Sequence, residues 1–283
     1  MCGMALTFTP TLRGRRLARE LRELRKRAGL SQAEAARRVG WSKNKVSRIE
    51  EPVTRPTDDD VRALLQLYGL DAARHPAILQ LNSDSWQRGW WTVYDDAFTG
   101  VFVMLEEQAP DIRVYETMLV PGLLQTPDYA RWVLSNRQGL TDDDLDRLVA
   151  ARMARKSILH RTNPPAVHVV IHEAALRQVA GDPDLMRKQI SELWTVAVDQ
   201  ANVTLQILPF TSPPPPALIG SVTLFCFPDD HGLDVAHSEG LLGETYVEST
   251  AELARARMAF QQVSGAAMSP AESVEWLKAR THE

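Results

Sequence analysis

The chain has 283 residues, 44% hydrophobic and 24% charged, a balance that suits globular domains and leaves room for one large core or two ordinary ones. Only two cysteines occur, Cys2 and Cys226, which excludes a disulfide framework and a thiolate zinc site and fits a reducing compartment. The net charge is −4, yet residues 1–50 hold thirteen Lys/Arg against four Asp/Glu, so a basic head sits on an acidic body and the head is the part expected to meet a polyanion.

The N-terminal MCGMALTFTP lacks the cationic-then-apolar order of a signal peptide. No apolar run approaches the roughly 20 residues of a membrane helix. A cytoplasmic, nucleoid-associated protein with no membrane contact is the expectation.

Leu17, Leu21 and Leu24 recur at helical spacing, and Gly29 is placed to close that first helix. Ser31 with Glu34 three residues on reads as a capping box opening a second helix, which runs to Val39 with Gly40 as its C-cap. Ser42 caps a third helix that continues to about Glu50, where Pro52 stops it. Thr57 and the acids Asp58, Asp59 and Asp60 open a fourth, because acids suit the positive end of a helix dipole. A fifth helix from Asp71 or Arg74 to about Gln87 completes an all-helical unit.

On a helix wheel Val46 and Ile49 fall on one side with Ser42, while Lys43, Asn44, Ser47 and Arg48 fall on the other and Lys45 lies at the flank. The third helix therefore packs by a narrow edge and shows a basic face to solvent. The paired Ala35 and Ala36 allow close approach of the helix before it, and the Gly turn joins the two as a helix-turn-helix. Lys and Arg can donate to guanine O6 and N7, and Asn can pair with adenine N6 and N7. Gln32, at the start of the second helix, is placed for a phosphate. A solvated helix face is the plainer reading of the charge, but it does not account for caps, Ala pair, Gly turn and apolar edge together.

The segment LSQAEAARRVGWSKNKVSRIE, within residues 13–70, resembles the helix-turn-helix of the XRE (Cro and phage repressor-like) family of DNA-binding proteins. The resemblance implies a five-helix head over residues 1–85 with the third helix in the major groove of an operator. Carried over by position, Ser42, Lys43, Asn44 and Arg48 face base edges, and Gln32 and Lys45 face phosphates. Arg25 and Glu50 match the family's ion pair. The segment EEPVTRP departs from the family, which usually has a Gly-containing, often basic turn there.

Trp86, Trp90 and Trp91 follow, and packing between the domains is a plainer role for them than a nucleotide-stacking platform. From residue 95 the pattern changes. IRVYETMLV, AVHVVI, VTLQILPF and LIGSVTLFCF read as short strands. Helices open at Thr126, at Thr141 and at Asp184, then at Ser249 and at the Ser269–Glu272 capping box. Residues 86–283 are therefore expected to form a mixed α+β domain. The proline run in TSPPPPAL reads as a stiff surface segment. Leu119, Val120, Leu123 and Leu124 read as core rather than as an effector pocket.

YETMLVPGLLQTPDYARWVL, HEAALRQVAG, QILPF and AAMSPAESVEWL together resemble the carboxy-terminal domain of actinobacterial antitoxin-like transcriptional regulators. That resemblance implies a small partner protein and no catalytic residues. His168 and His172 share one face of a strand beside Glu173, but no third ligand stands at a sensible spacing, and His231 and His237 could supply one only through the fold. Neither a metal nor a cofactor is expected, and no nucleophile or phosphate-loop motif appears. The expected protein is a dimeric, sequence-specific transcription regulator whose body dimerises or binds a partner protein. The alternatives are an autoregulating antitoxin and, from another class, a DNA-anchored enzyme or small-molecule sensor.

Overall fold

The computed structural model describes residues 12–51, 53–85, 100–136, 139–178, 182–212, 220–228, 234–240 and 243–281. Expectations for Cys2, Pro52, Trp86, Trp90, Trp91, the prolines 213–216 and His231 lie outside the described residues. The chain divides into two compact units, residues 1–95 with 99–105 and residues 96–98 with 106–283.

The first unit is helical: α1 (Leu12–Arg27), α2 (Gln32–Arg38), α3 (Lys43–Glu50), α4 (Asp58–Leu67) and, after a 3-10 turn at Ala72–Arg74, α5 (His75–Asp84). Leu17, Leu21 and Leu24 of α1 are buried with Ile49 of α3 and Leu64 and Leu65 of α4, so the 3.6-residue period places one stripe of each helix in a shared core. Gly29 and Gly40 take φ of +70° and +71°, a left-handed conformation that costs other residues energy but not glycine. The C-cap of α2 is Val39 rather than Gly40; Gly40 stands one residue beyond it. Ser31 and Glu34 form the expected reciprocal cap, and Thr57 and Asp60, read from the sequence only as a helix start with dipole acids, form another. The fifth helix starts at the later of its two expected points: Asp71 caps a 3-10 turn through the Ala73 amide, and Arg74 is the N-cap of α5, which has Pro76 in its first turn.

Helix α6 (Gly100–Gln108) straddles the division between the units. Among the described residues the second unit holds six strands: β1 (Asp111–Glu116), β2 (Ala166–His172), β3 (Val203–Leu208), β4 (Val222–Cys226), β5 (Val235–Gly240) and β6 (Gly243–Val247). They form one sheet in the order β3-β2-β1-β4-β5-β6, parallel among β1, β2 and β3 and antiparallel from β1 outward through β4, β5 and β6. Val167, Val169, Val170 and Ile171 of β2 are all buried, as a parallel strand covered on both faces requires. The β1–β2 crossover carries α7 (Pro127–Ser135) and α8 (Asp142–Arg155); the β2–β3 crossover carries α9 (Glu173–Arg177) and α10 (Pro183–Asp199).

Tyr115, Val170 and Leu224 on one sheet face pack with Leu253, Phe260 and Val263 of α11 (Thr250–Ala266). Each such fully buried side chain contributes about 1.5–3 kcal/mol relative to exposure. Helix α12 (Pro270–Arg280) closes the described chain and is sewn to β3 where the Ile207 amide donates to Ser273 Oγ at 3.0 Å.

The expected all-α head and mixed α+β body are both present. Three expected strands are shorter than their patterns: β4 keeps only Val222–Cys226, β3 ends at Leu208, not Phe210, and β1 ends at Glu116, not Val120. Beyond it the Thr117 amide donates to Ser221 Oγ and the Val120 amide to Tyr129 Oη, so side chains replace the ladder there. Val120, Leu123 and Leu124 are buried, and Leu119 is half-buried. The sequence reading did not anticipate α6, α9, β5 or β6.

Candidate nucleic-acid interface

Two short helices build the site. Ser42 accepts the Lys45 amide and starts α3, while Val46 and Ile49 are its buried edge. Lys43, Asn44, Lys45 and Arg48 are exposed, Ser42 is exposed at the cap, and Ser47 is half-buried with its hydroxyl donating to Glu51. The side chains of Lys43, Asn44 and Arg48 make no hydrogen bond or ion pair among the described residues. Free donors on a rigid, capped helix are the requirement for reading base edges.

The helix is held from beneath by one buried carboxylate. Arg25 donates to both Glu50 oxygens, Nε at 2.6 Å and Nη2 at 2.8 Å, and its Nη1 donates to the Leu30 carbonyl at 2.7 Å. Gln32 Nε2 adds a third bond to Glu50 at 3.0 Å. A buried carboxylate needs such satisfaction, since an unpaired one costs several kcal/mol. These bonds tie α1, the α1–α2 turn, α2 and the end of α3 to one point, which fixes the pose of the exposed face.

The two residues expected at phosphates are both engaged within the head. Gln32 is half-buried and turned toward Glu50. Lys45 Nζ donates to Asp60 Oδ1 at 2.6 Å and stands 4.0 Å over the centre of the Trp41 ring. Burial pushes the Asp60 carboxyl up, but the hydrogen bonds from Lys45 and the Thr57 amide and the Lys45 charge outweigh it and leave Asp60 below the usual carboxylate range. The sequence reading missed Trp41 and Asp60 as partners of Lys45. The spacing of four from Trp41 to Lys45 was the available signal; Asp60 had none, lying on another helix. After α3 the amides of Val53 and Thr54 both reach the Arg48 carbonyl, so the departing turn caps the helix through backbone.

In the body, the histidine pair has structural partners. His168 Nε2 donates to Gln206 Oε1 at 2.6 Å, and its ring meets Phe260 edge-on. His172 Nδ1 accepts the Ala174 amide and caps α9. Glu173 accepts from Arg177 and from the Phe210 amide. Among the described residues no group of His, Cys, Asp and Glu could hold a metal ion, and no helix is long and apolar enough to cross a membrane.

A helix-turn-helix domain model matches residues 16–78, from within α1 to the start of α5, and includes the whole candidate interface. No curated protein and no solved structure matches the chain. The model of a domain of unknown function, DUF5753, matches residues 99–279. That match covers more than half of the sequence, and the chain, with a helix-turn-helix domain at its head, belongs to the DUF5753 family.

Proposed function

We propose that this protein is a sequence-specific DNA-binding transcription regulator of the XRE (Cro and phage repressor-like) kind, without catalytic activity of its own. The observation that carries the reading is the exposed face of α3, where Lys43, Asn44 and Arg48 have no hydrogen-bond or ion-pair partner among the described residues and stand on a helix fixed by Glu50. Free Lys and Arg match guanine in the major groove and free Asn matches adenine. In this reading α3 enters the major groove and Arg37 and Arg38, exposed on α2, add to the field that draws in the phosphate backbone.

One helix-turn-helix reads only a few base pairs, so a homodimer binding two half-sites about 34 Å apart is the working form. Among the described residues most large apolar side chains of the head belong to its own core, with Val53 exposed, so in this reading the DUF5753 body serves dimerisation and the binding of a small partner protein. Selection of bound duplexes from a random pool, with light scattering on the same full chain, tests this. A recovered palindromic motif and twice the chain mass are expected. Recovery of no motif, with binding indifferent to sequence, rejects the reading.

A further inference from the structure

We propose that Asp60 is a latch on Lys45: it holds the ammonium against Trp41 and off the phosphate backbone, leaving more of the binding to the base-reading side chains Lys43, Asn44 and Arg48. This rests on the DNA-binding reading above.

The latch is built from two helices. Asp60 belongs to the first turn of α4 and its Oδ2 accepts the Thr57 amide at 3.1 Å, which pins the carboxylate, while Oδ1 takes Lys45 Nζ at 2.6 Å. The Asp60 side chain is 15% exposed against 42% for Lys45, so the acid is the more enclosed partner and the lysine the one open to solvent. Trp41 supplies the second wall: its ring is packed on the head core and its face carries the ammonium at 4.0 Å. A ring face and a pinned carboxylate together attract a cation more strongly than either alone. The neighbouring pair differs. Asp59, 93% exposed, meets Arg62 on its own helix at 3.0 Å, an arrangement that contributes little.

A lysine so held releases no counterion from DNA, and each lysine or arginine that does neutralise a phosphate steepens the salt dependence of binding. Asp60→Asn keeps one oxygen as acceptor for the Thr57 amide and the size of the side chain but removes the charge and the second acceptor that hold the ammonium. The full chain is titrated against a fluorescein-labelled duplex of random sequence over a series of salt concentrations. Asp60→Asn is expected to raise affinity several-fold at low salt and to steepen the log–log slope by about 0.9. Asp59→Asn, with the same change of net charge, is expected to move the slope much less. Lys45→Gln added to Asp60→Asn is expected to restore the wild-type slope.

An Asp60→Asn slope equal to that of wild type, or equal effects of Asp59→Asn and Asp60→Asn, overturns the latch while leaving DNA binding intact. A wild-type chain without salt-dependent binding to the duplex rejects the DNA reading itself, and the latch falls with it. Should Asp60→Asn lose amide protection in α4, Asp60→Ser, which retains a short acceptor for the cap, takes its place with the same expected slope.

Discussion

Arg155, the last residue of α8, lays its guanidinium against both oxygens of Glu106 in α6, Nε at 2.7 Å and Nη2 at 2.8 Å, with both residues buried. The head contains the same device in Arg25 and Glu50. Each pair joins segments distant in sequence through planar, two-point recognition that lysine could not supply. Such a pair stabilises little against an apolar replacement of the same shape, but it is costly to break on one side only.

Glu50→Ala is expected to destabilise the head by about 3 kcal/mol, because Arg25 keeps its burial and loses its counter-charge. Hydrogen exchange on the full chain measures this region by region: α1 to α4 should lose protection while β1 to β3 keep theirs. Wild-type exchange in α1 and α3 of the variant contradicts the assigned role.

In the body, Arg155→Met alone is expected to cost about 3–5 kcal/mol, since Glu106 is left charged and buried. Arg155→Met with Glu106→Leu should recover most of that loss. Urea midpoints of the two variants decide it, and a double variant as weak as the single one counts against the pair.

Glu116 gives a pH dependence. Burial pushes its carboxyl up to about 7 from 4.5, against the lowering effect of the Ser221 hydroxyl, and the charge of Glu239 pushes the same way as burial. Between those values the folded chain holds a proton that the unfolded chain has released, so stability falls as pH rises through this window and levels off above it. The full difference corresponds to about 3 kcal/mol. Glu116→Gln keeps the neutral form at every pH. Its urea midpoint should change less than that of wild type between pH 5 and pH 8, and parallel curves for the two proteins refute the assignment.

Asn44→Ala and Arg48→Ala are each expected to cost about 1–3 kcal/mol on a selected operator and to relax preference at one base pair. Competition against single-base operator variants reads both effects. An equal loss on every sequence makes the residue a phosphate contact instead.

The sequence by itself determined the elements whose causes are local. Ser31–Glu34, Thr57–Asp60, Thr141–Asp144 and Ser269–Glu272 all close as capping boxes, because the partners lie three residues apart and the first turn of a helix brings them together. The exposed basic face of α3 was legible for the same reason, since a wheel needs only the helical period. What only the tertiary structure decided are partnerships across sequence. Asp60 reads as a dipole acid until α4 brings it to Lys45, and Gln32 reads as a phosphate contact until Glu50, eighteen residues on, accepts its amide. The VAHSEG and GETYV segments become strands because β4 offers β5 a free edge and β5 then offers one to β6. Their own alternation is too polar to announce them, since strand formation depends on neighbours that a one-dimensional pattern does not contain.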